Sequence, residues 1–150
     1  MPEGRVSSLA YLKQILSLDQ NDAVAANYLI DQARLLKKTK DVLDYSPVAI
    51  FISPMLPSLH LWYAEALLTT KNNNDLKKAL FEAELALKIP VPAGEPDPSQ
   101  VLSPADQALA HVIAAEASLQ LGDKAKAKEH ANAALSLEPG NPRASAILSK

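Results

Sequence analysis

The sequence predicts an all-α protein made of stacked antiparallel helix pairs, and three observations carry that expectation. Alanine and leucine dominate a chain of 150 residues with only 4 glycines, and these residues lose little freedom on entering a helix. A stretch of 34 residues, 108–141, holds two helical segments around one turn, and parts of it recur upstream. The 11 prolines cluster in a few places, so they punctuate helices instead of preventing them.

The clearest unit is the last. Helical segments are expected over 105–121 and 124–137, separated by Gly122-Asp123. Glycine supplies the left-handed residue that ends one helix, and aspartate caps the next. Pro139 stands where a helix cannot continue. Small residues fall at Ala115, Ala127, Ala131 and Ala134, where two helices joined by a tight turn approach most closely. Upstream, Ala64-Glu65-Ala66 matches Ala115-Glu116-Ala117, and Ala79, Ala83 and Ala86 match Ala127, Ala131 and Ala134. The upstream turn is longer by Asn72-Asn73-Asn74, polar residues that a turn accepts. The same template places Ile30 opposite Ala64, Pro54 opposite Pro139, and Leu18-Asp19-Gln20-Asn21 opposite Leu137-Glu138-Pro139-Gly140.

This spacing resembles the tetratricopeptide repeat: a small residue in the first helix, spaced alanines in the second, and a closing proline. The match is better in the second helix, since His111 and Ser118 stand where the family has large aromatics. The resemblance implies a right-handed α-α superhelix in one domain covering 1–150. Its parts are a half repeat at 5–22, repeats at 23–56, 57–93 and 108–141, a proline-rich insertion at 90–104, and a capping fragment at 142–150. The alternative is a generic helical bundle with accidental periodicity.

Two stretches break the pattern. Ser46-Pro47 falls inside the second helix of the first full repeat, so a break is expected near Tyr45, with Ser46 capping a new segment. The apolar run 48–56 reads as core in preference to exposed contact surface. The insertion carries Pro90, Pro92, Pro96, Pro98 and Pro104 and is expected to be extended, either a binding loop or a tolerated insertion. It closes on Ser103-Pro104-Ala105-Asp106, a helix-start signature.

Net charge is −2 and aromatics make up 5% of the chain, which argues against phosphate-backbone binding and base stacking. The absence of cysteine excludes disulfides and thiolate chemistry. No segment is apolar for long enough to span a bilayer. The chain reads as soluble, with the cytoplasm favoured and the periplasm an alternative should it belong to a longer protein. The manner of the sequence, including Leu137-Glu138-Pro139-Gly140-Asn141-Pro142, looks bacterial.

No phosphate loop, nucleophile elbow or metal-binding histidine spacing occurs. His60 and His111 occupy equivalent places and read as structural contacts between paired helices, while His130 is expected on a polar face. No catalytic, cofactor or metal residues are assigned, and the chain is not expected to be an enzyme. The resemblance instead implies a concave groove lined by first helices. Its expected inward row is Asp31, Glu65 and Glu116, flanked by Asn27, Leu61 and Val112 one turn earlier and Arg34, Leu68 and Leu119 one turn later. Such a surface suits a protein or peptide segment with basic and apolar residues; its alternative is three ordinary solvated acids. The competing function is a structural or regulatory segment cut from a larger bacterial multidomain protein, self-associating through the apolar faces of its end helices.

Overall fold

The computed structural model describes residues 2–150, with side chains from Ser8 onward. The described residues are all-helical: eight α-helices and one 3-10 turn, with no strand. The sequence suggested one domain, but the contacts group into two compact units, 1–55 and 56–150. The division falls in the short connection between the third and fourth helices. There Ser53 ends one helix and Pro57 opens the next, with Pro54 between them.

The first unit holds α1 (Pro2–Leu18), α2 (Ala23–Leu35) and α3 (Thr39–Ile52), with α2 packed against both others. Asp22 caps α2 by accepting a hydrogen bond from the Ala25 N–H at 2.8 Å. At the other end Lys37 adopts φ 55°, so that the Lys38 N–H reaches back to the Ala33 carbonyl at 2.8 Å. A lysine in this left-handed region costs about 1 kcal/mol relative to glycine, which the turn hydrogen bonds offset. The core is Leu29, Ile30, Ala26 and Ala33 of α2 with Leu9 and Leu16 of α1 and Val42 and Ala49 of α3.

The expected break at Pro47 does not occur. Pro47 lies inside a continuous α3, and Ser46 does not cap anything. The buried residues Val42, Ser46 and Ala49 share one face on both sides of the proline. They occupy the positions of Ala127, Ala131 and Ala134 in the last repeat. Burial of that stripe against α2 overrides the local cost of proline, about 3 kcal/mol.

The second unit holds α4 (Pro57–Leu68), α5 (Asn73–Lys88), α6 (Pro104–Gln120), α7 (Lys124–Leu137) and α8 (Pro142–Leu148). Each helix packs on its chain neighbours, and alternate first helices also touch, α4 on α6 and α6 on α8. The alanine ladders sit at the closest approaches, with Ala79, Ala83, Ala131 and Ala134 completely buried. Side-chain caps start four of these helices: Asn72, Ser103, Asp123 and Asn141 each accept from a backbone N–H three residues on. Gly122, with φ 90°, supplies the turn between α6 and α7. Asn73 and Asn74 are not turn residues: they lie in the first turn of α5, and Lys71, at φ 59°, reverses the chain instead.

The proline-rich insertion is not simply extended. Pro98–Gln100 forms a 3-10 turn that packs on α4, started by a reciprocal box between Asp97 and Gln100. Leu102 is buried, and its carbonyl accepts from Gln107 Nε2 at 3.0 Å. No described helix is long and apolar enough to cross a membrane.

Candidate functional site

The first unit holds an open cleft of about 690 Å³ between the end of α1 and the second half of α3. Its floor and walls are Leu16, Tyr45, Pro47, Val48, Phe51 and Ile52, and its polar rim is Lys13, Ser17, Gln20 and Asn21. The helix periods explain the shape. Leu9 and Leu16 of α1 turn into the core, which places Lys13, Ser17 and Gln20 on the side towards α3. Lys13 Nζ donates to Asp41 Oδ1 at 2.7 Å and lies 5.8 Å from the Tyr45 ring centre. One cation thereby fixes the spacing of α1 from α3 at the head of the cleft.

Phe51 is 83% exposed, Met55 58% and Val48 40%. The expectation that 48–56 forms core is therefore corrected: Ala49 goes inside, while Val48, Phe51 and Met55 face outward. With Pro47 kept within the helix, its period sends every third or fourth apolar side chain to solvent.

The residues expected to line an inner groove separate into three groups. Leu61 and Val112 are fully buried and Leu68 nearly so; they are core and offer no surface. Leu119 is half-buried against the apolar cluster that Ala144 and Ile147 of α8 complete. Asn27 is half-buried, with its Oδ1 enclosed and without a hydrogen-bond partner, and Arg34 is half-buried. The three acids remain reachable. Asp31 is exposed by area, yet nearby protein holds its carboxyl above the ordinary range, with Arg34 pulling the other way.

Glu116 is already engaged. Arg143 of α8 grips it with two parallel bonds, Nε to Oε1 at 2.9 Å and Nη2 to Oε2 at 2.7 Å. These bonds, opposed by burial and aided by Glu65, hold the guanidinium even more firmly protonated than usual. Sequence reasoning had no way to find Arg143, because it follows the last repeat and has no counterpart upstream. Beside this pair a second opening of about 470 Å³ is rimmed by Lys71 and Lys150 and floored by Leu119 and Ile147.

The histidines lie between paired helices. His60, 2% exposed, places Nδ1 2.6 Å from Glu82 Oε2 of α5. His111 occupies the equivalent site, its Nδ1 3.0 Å from His130 Nδ1. His130 does not sit on a polar face: it fills the slot of Glu82 and points into the helix contact, its Nε2 3.2 Å from Glu84 of α5. Lys126 Nζ binds the same Glu84 oxygen at 2.7 Å. With both rings neutral, His130 donating from Nε2 to Glu84 leaves its Nδ1 to accept from His111 Nδ1–H. Burial, and then repulsion from the neighbouring imidazole of His130 whenever that ring carries a proton, hold His111 below the ordinary histidine range against the opposing pull of Glu129. Burial pushes Glu84 upward, but its bonds to Lys126 and His130 outweigh that and leave it below the usual carboxylate range.

Among the described residues no three His, Asp or Glu side chains converge as a metal group. The chemistry on offer is an apolar cleft, a buried histidine pair, and acids on helix surfaces. No protein-family model and no curated protein matches the chain.

Proposed function

We propose that the chain is a protein-interaction module of the tetratricopeptide type, and that the cleft between α1 and α3 takes the apolar side chains of a partner segment. The observation that carries this reading is the cleft itself, an open apolar trough beside an aromatic ring that is 83% exposed. Burying one such ring gives on the order of 2–3 kcal/mol, and here Phe51 does not stand alone but adjoins the apolar walls of the cleft, a contiguous patch of the kind that marks interaction sites. The polar rim of Lys13, Gln20 and Asn21 suits backbone carbonyls of the bound segment.

Peptides selected against the folded chain from a random library test the reading. They are expected to be rich in large apolar residues, to shift the amide resonances of Ser17, Val48 and Phe51, and to lose binding to Phe51→Glu. Selected peptides that bind Phe51→Glu as well as the parent chain remove the cleft from the proposal.

The two acids of the second unit, Glu65 and Glu116, are the second reading, and the grip of Arg143 on Glu116 favours it, since it exemplifies within one chain how such an acid receives a guanidinium. Neutralising Glu65 and Glu116 together should abolish capture of a basic partner while leaving the fold intact. Unchanged pull-down from native lysate marks the two acids as ordinary surface.

A further inference from the structure

We propose that the imidazole pair of His111 and His130 is an acid-operated latch: it holds α7 on α6 while one proton lies between the rings, and lets go when both facing nitrogens are protonated. The geometry sets the count. The two Nδ1 atoms lie 3.0 Å apart, so one must donate and the other accept. The neutral pair can take up one proton without losing this bond. The His111 Nδ1 proton passes along the hydrogen bond to His130, and the incoming proton binds His111 Nε2. His130 then donates from both nitrogens, to His111 and to Glu84, whose oxygen lies 3.2 Å from Nε2. The new positive charge sits beside that carboxylate. A second added proton has no such place. Both Nδ1 atoms then carry hydrogen, face each other without an acceptor, and bear like charges at hydrogen-bond distance. The contact must open.

The surroundings fit two separate steps. From α7, Glu129 draws a proton towards His111 while His130 repels it. From α5, Glu84 faces His130, and Lys126 of α7 holds the same oxygen at 2.7 Å. The flanking first helices engage their charges elsewhere: His60 of α4 on Glu82, and Arg143 of α8 on Glu116 with Glu65 acting on the guanidinium. His111 is held below the ordinary histidine value of 6.5, so the second proton enters on the acid side of neutrality. The equivalent slot of the preceding repeat responds differently. There His60 Nδ1 meets Glu82 Oε2 at 2.6 Å, and a proton on that imidazole keeps the donor and adds an opposite charge. Above the carboxylate range, acid therefore keeps α4 on α5 while it loosens α6 from α7. The latch covers an apolar stripe, Ala127, Ala131 and Ala134, buried with Val112, Ala115 and Ile147. Release of α7 exposes that stripe and loosens α8, which packs on it. The inference concerns the second unit alone and stands whether or not the cleft of the first takes a partner.

The test is amide hydrogen exchange on the intact chain from pH 7.5 to 5, each rate divided by that of an unstructured amide at the same pH. Protection at Ala127, Ala131 and Ala134 should fall about tenfold or more relative to Ala79, Ala83 and Ala86. Imidazole nitrogen shifts should show the His111 proton moving from Nδ1 to Nε2 before that loss begins. His111→Gln keeps a hydrogen-bonding group that takes no proton, and should hold the ratio constant. His130→Glu rebuilds the arrangement of His60 and Glu82 and should abolish the fall; if it fails to fold, His111→Gln decides alone. A ratio that stays constant in the parent chain, including through a uniform loss across the second unit, overturns the proposal. So does a fall that His111→Gln leaves unchanged.

Discussion

The two units carry the same helix-pair plan, but they close it differently. Of the eleven large apolar side chains exposed among the described residues, eight precede Leu56, although that unit is the smaller. The second unit fits alanine against alanine and spans its helix contacts with ionic or imidazole pairs, so little apolar surface is left over. The first unit has Ala26 and Tyr45 at the register positions that His60 and Glu82 hold in the second, and leaves Tyr11, Tyr28 and Phe51 outside. One architecture thus yields one stack that buries its apolar side chains and one that leaves several of them exposed. The choice is made at a few slots.

The sharpest way to break the comparison is to overfill the alanine ladder. Ala131→Leu places three extra carbons where the side chain is completely buried, and should cost about 3 kcal/mol, at the upper end for overpacking. Val48→Leu, at a cleft wall 40% exposed, should change stability by less than about 0.5 kcal/mol. Urea unfolding of both variants measures the contrast. Equal losses would mean the ladder is not the tight contact described.

Acid should separate the units next. His111 binds its proton less readily when folded than an ordinary histidine, whose value is 6.5. The unfolded chain therefore takes up more protons as pH falls below about that value, and stability declines. The histidine contribution is complete above that value and is lost progressively beneath it. Glu84, held below the ordinary glutamate value of 4.5, contributes above that value and loses its contribution as pH falls through its folded value. Thermal melts from pH 7.5 to 5 should show the second unit weakening first, and His111→Gln should flatten that slope. A slope unchanged by the substitution would place the acid sensitivity elsewhere.

The sequence makes the second unit more legible than the first, and the reason is physical. Alanine spacing, Gly122, Asp123 and Pro139 act locally, so the turn, the caps and the ladder follow from nearest neighbours. Pro47 misleads because its effect is decided by a tertiary gain, the burial of Val42, Ser46 and Ala49 along one face. The exposure of Phe51 follows from the same decision, and with it the cleft. Glu116 was readable as a candidate surface acid, but the Arg143 that binds it comes from outside the repeat pattern. His130 was misplaced for want of its partner: only the pairing of α6 with α7 shows that it faces His111.

Polar atoms left without partners offer a stabilising contrast. The Ser46 and Ser118 hydroxyls are buried without hydrogen bonds, one in each unit. Serine to alanine at either site removes an unsatisfied group without changing the packing envelope, and should raise stability by about 1 kcal/mol. Ser46 precedes Pro47, whose missing N–H leaves the Leu43 carbonyl without its helical donor. A hydroxyl that turns to serve that neighbourhood on thermal motion would make Ser46→Ala neutral while Ser118→Ala still stabilises. Paired denaturation midpoints distinguish a bare packing residue from one that helps the helix tolerate its proline.

The smallest effect belongs to the Arg143–Glu116 clamp. Its geometry is bidentate, but the side chains retain 43% and 27% of their exposure, and partly exposed ion pairs are worth about 1 kcal/mol or less. Arg143→Ala should therefore lower the stability of the second unit only slightly, and less still in high salt. What holds α8 is the burial of Ala144 and Ile147 against Val112 and Ala115. Ile147→Ala, which removes about three methylene equivalents from that cluster, should cost about 2 kcal/mol or more. If hydrogen exchange in α8 rises more for Arg143→Ala than for Ile147→Ala, the terminal helix is held by charge, and the distinction between an apolar-sealed second unit and an open first unit loses its basis.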